Sequence, residues 1–177
     1  ISDKSALIMA QTYYQNGDYE NCIEIYLIML EVQKDPNEKR ETLYLLGKTY
    51  FKAGFLERSQ EIFLQLLKQF PRTPKALRYL LIIYEKMHQL DKALEVLEPL
   101  DELGIDNTKD RVYLQCVSII RSAKYGVDEK AQLLIELYQE HHLLSYLIFE
   151  YLFRFSPALA WKNLDLGEAE RIVDILW

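Results

Sequence analysis

Glycine and proline are scarce in this chain, at six and five residues of 177. An all-β protein uses one or the other at most of its turns, so that fold class has little to build with. Cysteine is scarcer still. Cys22 and Cys116 are too few for a disulfide framework, and no C-x-x-C pair exists for zinc. Both stand among apolar residues at helical spacing and read as reduced, packed thiols, which fits a reducing compartment. No apolar run approaches the ~18 residues of a membrane span. Positive charge is in deficit: a net charge of -6 leaves nothing to neutralise phosphates, which excludes nucleic acid as an expected partner. Catalytic signatures are missing too, with no Gly-rich phosphate loop, no H-E-x-x-H and no G-x-S-x-G. His141 and His142 are adjacent and so point in different directions on a helix, a poor arrangement for a metal. Asp101-Glu102 and Asp128-Glu129 fall near helix ends, where solvation or capping accounts for them. No catalytic residue, no metal and no cofactor is expected.

Apolar and aromatic residues are plentiful: 50% of the chain is hydrophobic, 27% is charged, and tyrosine alone contributes 13 residues. This is the composition of a folded protein and not of a disordered one. The chain starts at Ile1, without Met and already inside a helical pattern, which suggests a piece of a longer protein.

The apolar residues repeat at long range. From Gly47 the chain reads Tyr50, Gly54, Ser59, Phe63, Leu66 and Pro71. The same offsets from Ala10 give Tyr13, Gly17, Cys22, Tyr26 and Met29; from Leu81 they give Tyr84, His88, Ala93, Leu97 and Leu100. The spacing is 37 residues from Ala10 to Gly47 and 34 from Gly47 to Leu81. Each offset has a physical reason. A small residue in a first helix lets a second helix approach, and the tyrosine one turn later fills the space between them. Gly17 and Gly54 suit a left-handed helix end. The small Cys22, Ser59 and Ala93 face the first helix across the crossing, and the large Tyr26, Phe63 and Leu97 pack on the next repeat. Asp35-Pro36 and Thr73-Pro74 read as helix starts. His88 in place of the turn glycine and Leu81 in place of a small residue predict a looser third repeat, and Pro99 should kink or shorten its second helix.

This pattern is identified as that of the tetratricopeptide repeat family, with Leu46-Gly47, Tyr50, Gly54, Phe63 and Pro71 as the best set. The resemblance implies an all-α fold, a right-handed superhelix (α-solenoid) of helical hairpins. Repeats are placed at about 3–36, 40–72 and 74–105. A degenerate fourth, carried by Gly126, Ala131 and Ile135, falls at about 109–140, giving an array over 1–140. Residues 141–177 read as C-terminal helices, His142–Phe155 and Leu166–Trp177, separated by Ser156-Pro157. They form a cap or a truncated further repeat.

A narrower likeness also exists. Glu38-Lys39-Arg40, the run Leu46-Gly47-Lys48-Thr49-Tyr50-Phe51-Lys52-Ala53-Gly54, the run Ala76 to Tyr84, Asp91-Lys92-Ala93 and Leu103-Gly104 resemble the bacterial lipopolysaccharide assembly protein B family. That resemblance covers roughly residues 5–120. It implies an inner-membrane protein with an N-terminal anchor and repeats on the cytoplasmic side, which brings the committing deacetylase of lipopolysaccharide synthesis to a membrane protease. It also implies a C-terminal rubredoxin-like metal domain built from cysteine pairs, of which these 177 residues hold nothing.

In such a solenoid the first helices line the concave face, which is the default place for a partner. The residues offset from the packing set are Gln11 and Tyr14, then Tyr44, Lys48, Phe51 and Lys52, then Lys75, Arg78 and Ile82. This lining is aromatic and basic on an otherwise acidic chain, and it suits a protein or peptide ligand with acidic character. Leu7, Gln11 and Leu45 stand where chaperone-binding members of the family carry a carboxylate clamp, so that clamp is incomplete. The expected activity is that of a protein-binding scaffold or adaptor in bacterial envelope biogenesis, with a membrane reached only through an anchor outside these residues. The alternatives are a scaffold with other clients, such as secretion or pilus assembly, and a regulatory domain of a larger enzyme.

Overall fold

The computed structural model describes residues 3–176, with side chains through Asp174; Ile1, Ser2 and Trp177 lie outside the described residues, so the last predicted helix is followed only to Leu176. Among the described residues there are eleven helices and no strand. The chain divides into two compact units, residues 1–105 and 106–177.

The first unit holds α1 (Asp3–Gln15), α2 (Tyr19–Val32), α3 (Pro36–Ala53), α4 (Leu56–Gln69), α5 (Pro74–Lys86) and α6 (Leu90–Glu102). They pair as the hairpins α1–α2, α3–α4 and α5–α6, and the second helix of one hairpin packs on the first helix of the next, α2 on α3 and α4 on α5.

One turn closes all three hairpins. Gly17 and Gly54 are left-handed, with φ of 76° and 91°. The N–H of the residue after each reaches back to the repeat tyrosine, Asp18 to the Tyr13 carbonyl and Phe55 to the Tyr50 carbonyl, both at 2.9 Å. This is the Schellman arrangement, which requires a left-handed residue. In the third hairpin His88 takes that conformation at φ 58°, and Gln89 donates to the Tyr84 carbonyl at 2.8 Å. The turn is therefore kept where the glycine is lost, against a steric cost of about 1–2 kcal/mol.

The crossings follow the small residues. Ala10, Cys22, Ser59 and Ala93 are fully buried. A Cβ on Gly47 would come within 2.8–3.0 Å of the Phe63 ring, so the ring occupies the space that glycine leaves. Ser59 Oγ donates to the Gly47 carbonyl at 2.7 Å and ties the two helices at that point. Leu81, large where a small residue was expected, is buried all the same.

Two local expectations are corrected. The second repeat begins at Pro36 instead of about 40: α3 carries an added helical turn at its start, making it 18 residues long against 13 for α1 and α5. Asp35 caps it by accepting from the Asn37 N–H at 2.9 Å. Thr73 precedes α5, but its hydroxyl donates to the Phe70 carbonyl at 2.8 Å and caps nothing in α5. Pro99, expected to kink or shorten α6, lies inside that helix, which at 13 residues is one shorter than α2 and α4.

The second unit holds α7 (Thr108–Arg121), α8 (Val127–His141), α9 (Ser145–Phe155), α10 (Pro157–Asn163) and α11 (Leu166–Leu176). α7 pairs with α8, and α9 packs on α8, α10 and α11. The core joins Cys116, Ala131, Ile135, Tyr138, Phe149, Leu152 and Ala160. Ala131 and Ile135 are buried as the repeat offsets ask. Gly126 departs from them: at φ -75°, ψ 174° it is an extended residue starting α8, not a left-handed turn. The apolar helix expected from His142 begins only at Ser145, because His142 (φ 51°) and Leu144 (φ 55°) are both left-handed. The Ser156-Pro157 break is present and opens α10, which periodicity alone did not disclose. The division at 105/106 groups α7 and α8 with the C-terminal helices, whereas the sequence pattern extended the array through 140.

Candidate functional site

The predicted lining residues lie on the three first helices of the first unit: Gln11 and Tyr14 on α1; Tyr44, Lys48, Phe51 and Lys52 on α3; Lys75, Arg78 and Ile82 on α5. Five of them come together in one strip. Lys48 Nζ stands 5.4 Å from the centroid of the Tyr14 ring, and one repeat later Lys75 Nζ stands 5.4 Å from the centroid of Tyr44. A lysine of each later first helix thus covers a tyrosine of the helix before it. Tyr44 and Phe51 meet the ring of Tyr79 edge-on, at centroid distances of 6.0 and 5.3 Å. Tyr79 in turn stacks on the buried Phe63 at 5.0 Å and 12°. Tyr44 also meets Phe63 directly, at 6.3 Å, so the strip is keyed to the core at that ring by two of its members, and aromatic contacts of this kind contribute about 0.5–1.5 kcal/mol each beyond area burial.

The other predicted residues differ in exposure. Gln11, Lys52 and Ile82 are exposed, and Arg78 is half-buried. Tyr79 was missed. It lies one place after Arg78, between the residues assigned to the lining and those assigned to the packing set. The available signal was an aromatic on α5 one repeat after Tyr44 and Phe51.

Burial pushes the hydroxyls of Tyr14, Tyr44 and Tyr79 above the ordinary tyrosine range. Their nearness to one another adds to this at all three. Near neutral pH the strip offers uncharged hydroxyls flanked by two ammonium groups. A cation over a ring face is held by about 0.5–1 kcal/mol at an exposed site, and the pairing leaves its charge unneutralised. The basic character is local. Towards the N-terminal ends of α1 and α3, a cavity of about 220 Å³ is lined by Leu7 and Leu45 together with three carboxylates, Asp3, Glu38 and Glu41, against one cation, Lys4. The excess of carboxylates over that single lysine weighs further against the chaperone-type clamp.

Elsewhere the chemistry is plain. Among the described residues no group of three His, Cys, Asp or Glu is arranged to hold a metal ion. His141 turns to Glu140 Oε1 at 3.7 Å while His142 lies edge-on to Tyr138 at 5.2 Å, so the pair diverges. Cys22 Sγ lies 3.7 Å from Thr49 Oγ1, and burial pushes the Cys116 thiol up to about 11. No helix among the described residues is long and apolar enough to cross a membrane.

Comparison with known proteins agrees with the hairpins. Family models of the tetratricopeptide repeat match residues 4–34 and 41–73. The photosystem I assembly protein Ycf3 of Prochlorococcus marinus (strain MIT 9211) is 34% identical over 71 residues, 40% of this chain and 41% of that protein. Lipopolysaccharide assembly protein B of Escherichia coli (strain K12) is 29% identical over 104 residues, 58% of this chain and 27% of that protein. The chain thus spans well under half the length of these relatives. Among solved structures, the one titled MamA RS-1 ArsTM double mutant aligns with a TM-score of 0.67 at 18% identity, covering 99% of this chain and 97% of that one; this likeness shows the fold alone. With two matched repeats and three hairpins closed by one turn, the chain carries tetratricopeptide repeats in its first unit and resembles lipopolysaccharide assembly protein B.

Proposed function

We propose that this protein is a scaffold that holds an acidic protein segment against the first-helix strip of α1, α3 and α5, without catalysing a reaction. The observation carrying this reading is the recurrence of one contact, lysine over tyrosine, at Lys48–Tyr14 and again at Lys75–Tyr44. Rigid rings supply contact area at low entropy cost, and fixed cations set the ligand's register. Gln11, Lys52, Arg78 and Ile82 flank the strip and complete the binding face, with Phe51 as part of its floor. The likeness to lipopolysaccharide assembly protein B supports a setting in bacterial envelope biogenesis. Ycf3 is also named for assembly, of photosystem I, which supports the broader reading of an assembly scaffold.

The test is selection from a random peptide display library against the intact chain and against Lys48→Glu with Lys52→Glu. Enrichment of Asp- and Glu-rich peptides by the parent, and its loss in the double variant with unchanged helical circular dichroism, is the expected outcome. Equal enrichment by both proteins contradicts the assignment of this face.

A further inference from the structure

A basic cluster extends the first-helix strip at the junction of α3, α4 and α5. From Ile62 to Tyr84 the chain holds no acidic residue, and the same stretch carries Lys68, Arg72, Lys75 and Arg78. On a chain of 27 acidic residues and net charge -6, this is a local reversal of sign. The fold adds Arg40 of α3, whose guanidinium carbon stands 5.1 Å from the centroid of the Phe70 ring at the end of α4. Arg40 and Tyr44 lie four apart on one helix face, and Lys75 covers Tyr44, so one side of α3 gathers both cations. The linker between α4 and α5 is stiff: Pro71 and Pro74 each fix a φ angle, and the Thr73 hydroxyl donates to the Phe70 carbonyl at 2.8 Å. Arg72 stands exposed on that linker. These charges are unanswered. Arg58, Arg154 and Arg171 each meet a glutamate, at 3.7, 3.9 and 2.7 Å. Among the described residues no carboxylate is so placed against Arg40, Lys68, Arg72 or Lys75. Glu38 and Glu41 of α3 line the cavity shared with α1, and Glu61 is taken by Arg58. A ring beneath a cation orients it without neutralising it.

We propose that this cluster receives a phosphorylated side chain of the segment held on the strip, with Arg40 and Arg72 on the phosphate and Lys75 shared between the two sites. A phosphate monoester carries a charge of about −1.5 to −2 at neutral pH and three acceptor oxygens, which the paired N–H groups of guanidinium match. A single carboxylate leaves most of the four cations unanswered. An anionic membrane is a poorer match, because a broad surface also meets the acidic remainder of the chain, whereas one phosphate meets only the cluster. The inference rests on the strip being a ligand face and adds the chemical class of the ligand.

The probe is a set of degenerate synthetic peptide libraries, identical but for a fixed central residue: phosphoserine, aspartate or serine. Each is passed over the immobilised full chain, and retained peptide is quantified and sequenced. At least about tenfold greater retention of the phosphoserine library than of the aspartate one is expected. Arg40→Gln with Arg72→Gln, both at exposed positions, should abolish that difference with helical circular dichroism unchanged. Acidic enrichment at the flanking degenerate positions reports the strip separately: it should fall in Lys48→Glu with Lys52→Glu and persist in the arginine variant. Equal retention of the phosphoserine and aspartate libraries, or a phosphoserine preference that survives the arginine variant, overturns the proposal while intact flanking enrichment keeps the strip. A phosphoserine preference without flanking enrichment contradicts the strip and not the cluster. Displacement of the phosphoserine peptides by inorganic phosphate at equal concentration would assign the cluster to a free anion, and binding to phosphatidylglycerol vesicles that the arginine variant loses would assign it to a lipid surface. Either result also overturns the proposal.

Discussion

Residues 1–105 build one hairpin three times over, whereas residues 106–177 never build it in that form. In the first unit each hairpin closes on a left-handed residue that returns an N–H to the repeat tyrosine. In the second, α7 and α8 keep the buried small and large residues, Ala131 and Ile135, yet join through an extended Gly126. What defines the repeat is thus the turn and the crossing taken together. Buried apolar spacing survives in any amphipathic helix pair, but the turn fixes where the next first helix starts. Only where it recurs do lysines and tyrosines of successive first helices fall into the same contact twice.

The sharpest way to break that contrast is at the rings. Phe63→Ala removes a fully buried ring and should cost about 3–5 kcal/mol in denaturant unfolding. Phe149→Ala in the second unit is buried to the same degree and should cost a similar amount. The two part in near-ultraviolet circular dichroism under native conditions: the first loses the support under Tyr79 and alters the tyrosine signal of the strip, and the second leaves that lattice intact.

A smaller effect separates two glycines. Gly47→Val drives side-chain atoms into the Phe63 ring and should destabilise by about 1–3 kcal/mol. Gly126→Ala meets nothing within 4 Å on an ordinary φ and should stay within about 0.5 kcal/mol of the parent. Comparable losses at both would mean that the close approach in the first unit has no special weight.

The turns give a pair of opposite sign. Gly54→Ala, at φ 91° with open space around it, should lose about 1 kcal/mol by strain alone. His88→Gly relieves about 1–2 kcal/mol of strain and forfeits about 0.5–1 kcal/mol of unfolded-chain entropy, so it should raise the thermal midpoint slightly.

The smallest effect is in pH. Burial raises the hydroxyls of Tyr14, Tyr44, Tyr79 and Tyr84 in the first unit and of Tyr138 in the second. A folded-state value above the unfolded one, near 10 for tyrosine, means stability that is complete below about pH 10 and lost as pH rises past it. Alkaline titration of the unfolding free energy should therefore fall from about pH 10 upward, and Tyr79→Phe should make that fall shallower.

The first unit was legible because its rules are local and redundant. The 34-residue spacing, Gly54 and Pro36 each fix a helix end by a backbone requirement that sequence displays directly. His88 shows how far this goes: tertiary register imposed the left-handed turn on a residue that does not favour it. The strip was legible residue by residue, at Tyr14, Tyr44, Lys48, Phe51 and Lys75, but Tyr79 was not. Whether it faces the strip or the core depends on how far α5 rotates over Phe63, and that is set by packing between repeats. In the second unit, neither the left-handed His142 and Leu144 nor the short α10 has a composition that announces it, since no glycine marks the first two and seven residues hold too few turns for a period. Gly126 misled for the converse reason: a glycine at the expected offset carries no conformation of its own.

The most direct test of the ligand face is nuclear magnetic resonance mapping of the chain with an Asp- and Glu-rich peptide enriched against it. Shift changes concentrated on Tyr14, Tyr44, Lys48, Phe51, Lys75 and Tyr79 are predicted, and they should vanish when Lys48 and Lys75 are both changed to glutamate. Changes that map instead to the outer faces of α2, α4 and α6, and survive the double variant, would contradict the account.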